Sequence, residues 1–197
     1  MEEDLKFDER GLIPVITQDY TNNEVLMHAW LNKEALEKTL ATGKMHYWSR
    51  EMKRIWQKGE KTGNVQELVA LRVDCDRDSI LARVKQKGNA CHTNRYSCFF
   101  SSIIEKEKGA SIIYELLKVL EERKESPSEK SYTSKLLSNE KLLTDKIIEE
   151  SKEVATASTK ENLVWELADL FYHCMVLMIA HGIEPIDIFR ELERRRK

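Results

Sequence analysis

Apolar residues recur along this chain with two different periods, and the change falls near the middle. Residues 12–17 (LIPVIT) and 25–30 (VLMHAW) are short β-like runs. A turn-rich stretch at residues 19–23 separates them, which predicts a hairpin. Residues 32–42 (NKEALEKTLAT) read as a helix, with Asn32 placed as N-cap and Gly43 just past the end. Residues 46–49 (HYWS) form a further candidate strand. Residues 55–64 carry two glycines and read as a loop. Strands are predicted over 68–74 and 79–85, with Lys87-Gly88-Asn89 as the turn that follows. Beyond Gly109 the period becomes helical. Ile112, Ile113, Leu116, Leu117 and Leu120 mark an amphipathic helix over 111–124. Pro127 breaks it, and a second helix is predicted over 142–157. Ser158 and Glu161 stand at capping-box spacing ahead of a third helix that runs to His181 and stops at Gly182. Pro185 fits the first turn of a fourth helix, which ends in cations from Arg194 onward.

Glycine usage sharpens the division. Six of the seven glycines lie at or before Gly109, and the charged stretch 101–109 (SSIIEKEKG) reads as a linker. The expectation is two domains: residues 1–108, α+β and mostly sheet, and residues 109–197, an all-α helical bundle. A hydrophobic fraction of 41% with 34% charged residues is ordinary for a soluble protein. A net charge of −2 leaves no electrostatic footprint for nucleic acid. No uninterrupted apolar run approaches the ~18 residues of a membrane span. The acidic start lacks the features of a secretory or transit segment, so a cytoplasmic protein with no membrane partner is expected. In that compartment, clustered cysteines point to metal or catalysis rather than to disulfides.

The densest candidate chemistry lies in residues 74–98, DCDRDSILARVKQKGNACHTNRYSC. If residues 73–84 form one strand, Asp74, Asp76 and Asp78 share a face and Cys75 lies on the other. The carboxylates suit a hard cation such as Mg²⁺, and the thiols suit a soft one. Alternating carboxylates are also what a solvated strand face looks like. Cys75, Cys91 and Cys98 are spaced C-x15-C-x6-C, unlike the knuckles of structural zinc modules. Three protein ligands plus water is the pattern of a catalytic zinc. Three unrelated thiols is the other reading that spacing leaves open.

In the second half, Glu149, Glu150 and Glu153, then Glu166 and Asp169, form E-E-x-x-E and E-x-x-D on consecutive predicted helices. Carboxylates three or four residues apart share a helix face. Glu150 and Glu166 fall within or beside the apolar stripe, where a charge is costly unless paired or bound to metal. Facing helices could pool these oxygens into a Mg²⁺ site. Trp30, Trp165 and Cys174 read as packing residues and His181 as a helix-end cap; His173, one turn after Asp169, could touch the metal site but reads first as a core or interhelical histidine. His28 is left open.

Together these motifs resemble two known families. Tyr47-Trp48-Ser49-Arg50, Ile55-Trp56-Gln57-Lys58-Gly59-Glu60-Lys61-Thr62-Gly63, Gln66, DCDRD and ACHTNRYSCFF are similar to phosphoribosyl-AMP cyclohydrolase, over residues 11–100. The resemblance implies a homodimer whose Zn²⁺ is held by Cys75 of one chain and Cys91 and Cys98 of the other. It also implies Mg²⁺ on Asp74, Asp76 and Asp78, and a water-derived hydroxide added at C6 of an N1-substituted adenine. His92 would shuttle a proton, since an unperturbed histidine titrates near pH 6.5. Trp48, Ser49, Arg50, Lys58, Thr62 and Arg95 would hold the substrate, Arg50 also at the reacting end. One departure is Met52, where relatives carry a second arginine; Lys53 or Arg54 are the substitutes at hand. Residues 112–195 resemble phosphoribosyl-ATP pyrophosphohydrolase and, more distantly, the MazG-like all-α nucleoside triphosphate pyrophosphatases. The supporting residues are Ser131-Tyr132-Thr133-Ser134-Lys135-Leu136, Lys146 ahead of EESKEV, and ADLFYH. Here the resemblance implies Mg²⁺ on the five acids, catalysis by Glu150 and Glu153, and phosphate contacts from Lys135 and Lys146. The implied activity is bifunctional: phosphoribosyl-ATP to phosphoribosyl-AMP and pyrophosphate, then ring opening at N1–C6. Two other readings stay open: a general nucleotide pyrophosphatase carrying a non-catalytic zinc module, and a zinc-stabilised interaction protein.

Overall fold

The computed structural model describes residues 4–196. The chain divides into two compact units, one ending at Glu107 and the other starting at Lys108. The first is built on a four-stranded sheet in the order β2-β1-β6-β5. β1 (Ile13–Asp19) runs antiparallel to β2 (Val25–Leu31) and parallel to β6 (Ile80–Gln86), and β6 is antiparallel to β5 (Gln66–Val73). The connection between β2 and β5 holds α1 (Lys33–Thr42) and a two-stranded sheet, β3 (His46–Ser49) with β4 (Arg54–Gln57).

Alternate residues of β1 and β6 are buried because one face of the sheet meets α1 and β3. Ile13, Val15, Leu26, Leu31, Ala35, Met45, Tyr47, Ile80 and Val84 make that core. The α1 boundaries follow the expected signals. Asn32 Oδ1 accepts from the Ala35 N–H at 2.9 Å, and Gly43 takes the left-handed conformation at φ 67°.

The second unit is helical: α2 (Ser111–Glu125), α3 (Tyr132–Ser138), α4 (Glu140–Thr156), α5 (Lys160–His181) and α6 (Pro185–Arg195). Leu117, Leu120, Leu136, Leu143, Met175, Val176 and Ile179 form its core. By length and composition α5 could cross a membrane, with a mean hydropathy of 1.6. Its Met175, Val176 and Ile179 belong to the core of the bundle.

Five expectations are corrected. Residues 73–84 are not one strand. β5 stops at Val73, and Asp74 Oδ1 accepts from the Asp78 and Ser79 backbones at 3.1 Å each, closing a turn. The loop over 55–64 begins later, because residues 54–57 pair with β3 as β4. A short helix, α3, stands where none was predicted, capped by the Ser131 hydroxyl. The N-cap of α5 is Thr159, not Ser158: its side chain accepts from Asn162 N, one residue later than the capping-box reading. Trp165 is 69% exposed and does not pack into the core.

Candidate active sites

In the first unit a cleft of about 650 Å³ lies between two loops. One loop follows β4 and carries Lys58 and Thr62. The other follows β6 and carries Cys91, His92 and Cys98. Gly59 turns the first loop at φ 81°. A Cβ there would sit 2.5 Å from the Asn64 carbonyl carbon, so only glycine fits. The second loop folds on itself through Ala90 N to Tyr96 O and Cys91 N to Arg95 O, while Cys98 N reaches back to Leu26 O at 2.7 Å. Asn64 joins the loops by donating to Asn89 O at 3.0 Å.

These closures place Cys91 and Cys98 on the same cleft, near enough for each thiol to influence the ionisation of the other. The Thr93 hydroxyl, 3.1 Å from Cys91 Sγ, holds the Cys91 thiol below its ordinary value. Burial, helped by the neighbouring Cys91, pushes Cys98 up to about 11. Ionising one thiol therefore opposes ionising the other, a conflict that a soft dication would relieve. Lys58 is only 7% exposed; burial pulls its pKa down, and the Cys98 and Cys91 charges oppose that. His92 is exposed, with Nδ1 3.9 Å from Cys91 Sγ.

Cys75 is not at this site. It sits in the exposed turn before β6, and Cys91 lies beyond the other end of that strand. Seven residues at about 3.3 Å each place roughly 20 Å of strand between them. The same turn gathers Asp74, Asp76 and Asp78, whose oxygens come within 4.8 Å of one another. The Asp76 charge raises Asp78, an electrostatic strain that a hard cation would remove.

In the helical unit, Glu150 and Glu153 of α4 and Glu166 of α5 also bring oxygens within 4.8 Å. Glu150 is 6% exposed. Burial raises Glu153, and Glu166 and Glu150 add to that. Asn162 donates to Glu166 Oε1 at 2.7 Å and so fixes its rotamer. These acids suit an oxygen-coordinated dication. Glu149 is turned to Lys146 at 2.8 Å, and Asp169 is exposed outside the triad.

Comparison with known proteins matches a family to each unit. The phosphoribosyl-AMP cyclohydrolase family model matches residues 27–100, and the phosphoribosyl-ATP pyrophosphohydrolase model matches residues 113–196. The histidine biosynthesis bifunctional protein HisIE of Caldanaerobacter subterraneus subsp. tengcongensis is 45% identical over 98% of this chain and 97% of its own. That of Pyrococcus furiosus is 46% identical over 95% and 92%, and that of Aquifex aeolicus 43% over 98% of each. The chain belongs to the HisIE family. Its sheet-rich unit holds the cyclohydrolase region and its helical unit the pyrophosphohydrolase region.

Within this HisIE-family chain the sequence-predicted residues fall into groups. Lys58, Thr62, Cys91, His92 and Cys98 line the cleft, as do Met52 and Arg54. Trp48, Ser49, Arg50 and Arg95 do not line it. Arg50 stacks on Trp30 at 4.9 Å, and Arg95 on Phe100 at 5.0 Å. Lys135 lies exposed on α3. Asn64 and Thr93 were missed, because a loop-bridging amide and a thiol-bonding hydroxyl leave no periodic mark in a sequence. Tyr132 was seen but given no role in the chemistry, and His173 was read as a core or interhelical histidine ahead of a contact with the metal site. They form a hydrogen-bonded pair beside Glu150.

Proposed function

We propose that the chain is a bifunctional hydrolase of histidine biosynthesis, with residues 109–197 acting on phosphoribosyl-ATP and residues 1–108 on phosphoribosyl-AMP. In the helical domain, read as MazG-like, Glu150, Glu153 and Glu166 would hold Mg²⁺, with Glu149 and Asp169 close by on the same helices. Bound there, Mg²⁺ would supply charge neutralisation for the triphosphate, which Lys135 and Lys146 would contact. The same acids would orient the water that attacks the α-phosphorus. The α–β bridging bond breaks and pyrophosphate leaves.

In the sheet domain, Cys91 and Cys98 supply two ligands to Zn²⁺, and Cys75 of a second copy supplies the third. Zinc held there would supply a water acidified to a pKa of about 7. His92 moves the proton that N1 gains as the C6–N1 bond breaks. Lys58, Thr62 and Arg54 line the cleft for the substrate's phosphates, with Trp48, Ser49, Arg50 and Arg95 on the flanking segments. Asp74, Asp76 and Asp78 would hold Mg²⁺. The reading places the enzyme in the cytoplasm as a homodimer.

The observation that carries it is the stranded third cysteine: Cys91 and Cys98 share the cleft while Cys75 lies at the far end of β6. Mixing variants tests it. Cys75→Ser and Cys91→Ser chains should each fail to open the ring of phosphoribosyl-AMP. Refolded together, half the dimers pair unlike chains and each of these has one intact site, so about a quarter of full activity should return. No recovery on mixing, with each variant folded, would rule out the shared site.

A further inference from the structure

The helical unit contains a tether that the chemistry above does not use. His173 is 4% exposed, on the turn of α5 that follows Asp169. Its Nδ1 lies 2.8 Å from the Asp169 carbonyl oxygen, which fixes the ring against its own helix. Its Nε2 lies 3.1 Å from the Tyr132 hydroxyl on α3. The Tyr132 and His173 rings meet edge to face at 6.1 Å. Tyr132 nonetheless remains 47% exposed. His173 Nδ1 also lies 3.8 Å from Glu150 Oε1, so the Tyr132–His173 pair stands at the rim of the acid cluster. With the hydroxyl committed to His173, what the tyrosine offers to a ligand is the face of its ring. An exposed, immobilised aromatic face beside a phosphate-handling cluster suits a nucleobase.

We propose that Tyr132 is the base-stacking residue of the diphosphate-cleaving site and that His173 is its positioning residue. The ligand class is a purine nucleoside triphosphate, whose phosphates lie toward the carboxylates and whose base covers Tyr132. The proposal rests on the phosphoribosyl-ATP reading for its substrate, but the contact itself can be read without turnover.

The test measures binding of ATP and of inorganic tripolyphosphate, each with Mg²⁺, to the full chain by calorimetry. The KM and kcat of pyrophosphate release from phosphoribosyl-ATP are measured alongside. Tyr132→Leu, which removes the ring, should weaken ATP about tenfold, in line with the loss of one base–aromatic stack. It should leave tripolyphosphate unchanged, and raise KM with little change in kcat. Tyr132→Phe, which keeps the ring and loses the tether, should have a smaller effect, and His173→Phe should match it. Equal weakening of ATP and tripolyphosphate would show general damage and overturn the proposal, as would unchanged ATP binding in Tyr132→Leu. Failure of the unaltered chain to release pyrophosphate, with the ATP difference intact, would overturn the substrate reading and leave the stacking contact standing.

Discussion

Tyr47 shows how much a single hydroxyl does beneath the cleft. Its ring is fully buried, and its O–H donates to Gln66 Oε1 at 2.6 Å. Thr17 Oγ1 lies 2.8 Å away, and Gln66, equally buried, donates on to Gln86 at 2.7 Å. Burial raises the Tyr47 pKa far above its usual range, so the phenol stays protonated as a donor. Tyr47→Phe keeps the packing and leaves the Gln66 oxygen without its donor. The expected cost is about 1–3 kcal/mol, read as a lowered denaturant midpoint for the sheet unit. A midpoint unchanged within error would mean that the network is not what orders this core.

At the scale of elements, the cleft depends on a loop that glycine alone can close. Gly59 combines a left-handed φ of 81° with a clash at 2.5 Å against Asn64 backbone. Gly59→Ala should therefore displace Lys58 and Thr62 and lower ring opening by about a hundredfold, the scale of a small misplacement of binding groups. Pyrophosphate release by the same chain should be unaffected, and an equal loss of both activities would contradict the assignment. The elements that were legible in the sequence are those with one-sided burial or strong caps. β1 and β6 alternate because one face meets α1 and β3, and α1 is framed by Asn32 and Gly43. What was not legible was short. β4 has four residues and α3 seven, too few to show a period. The aspartates of residues 74–78 alternate as a strand would, yet they converge because a turn folds them together. Trp165 looked like core by type, but the buried positions of α5 lie at His173, Met175, Val176 and Ile179.

At the scale of the whole molecule, each unit has its own core and its own candidate metal chemistry. The two acid clusters and the thiol pair need no residue of the other unit, so loss of one site should spare the other. The order of activities along the chain is the reverse of their order in the proposed reaction sequence. The grouping of the acids and the division at the linker could be read from residues alone. The separation of Cys75 from its fellow thiols could not, because it depends on the length of β6 between them. The central claim is two independent active sites in one polypeptide. It is tested most directly by supplying phosphoribosyl-ATP and phosphoribosyl-AMP separately to Cys91→Ser and Glu153→Gln chains, and following pyrophosphate release and ring opening in each. The account predicts that Cys91→Ser releases pyrophosphate but opens no ring, while Glu153→Gln opens the ring of supplied phosphoribosyl-AMP but releases no pyrophosphate. Folded variants that each lose both activities, or keep both, would contradict it.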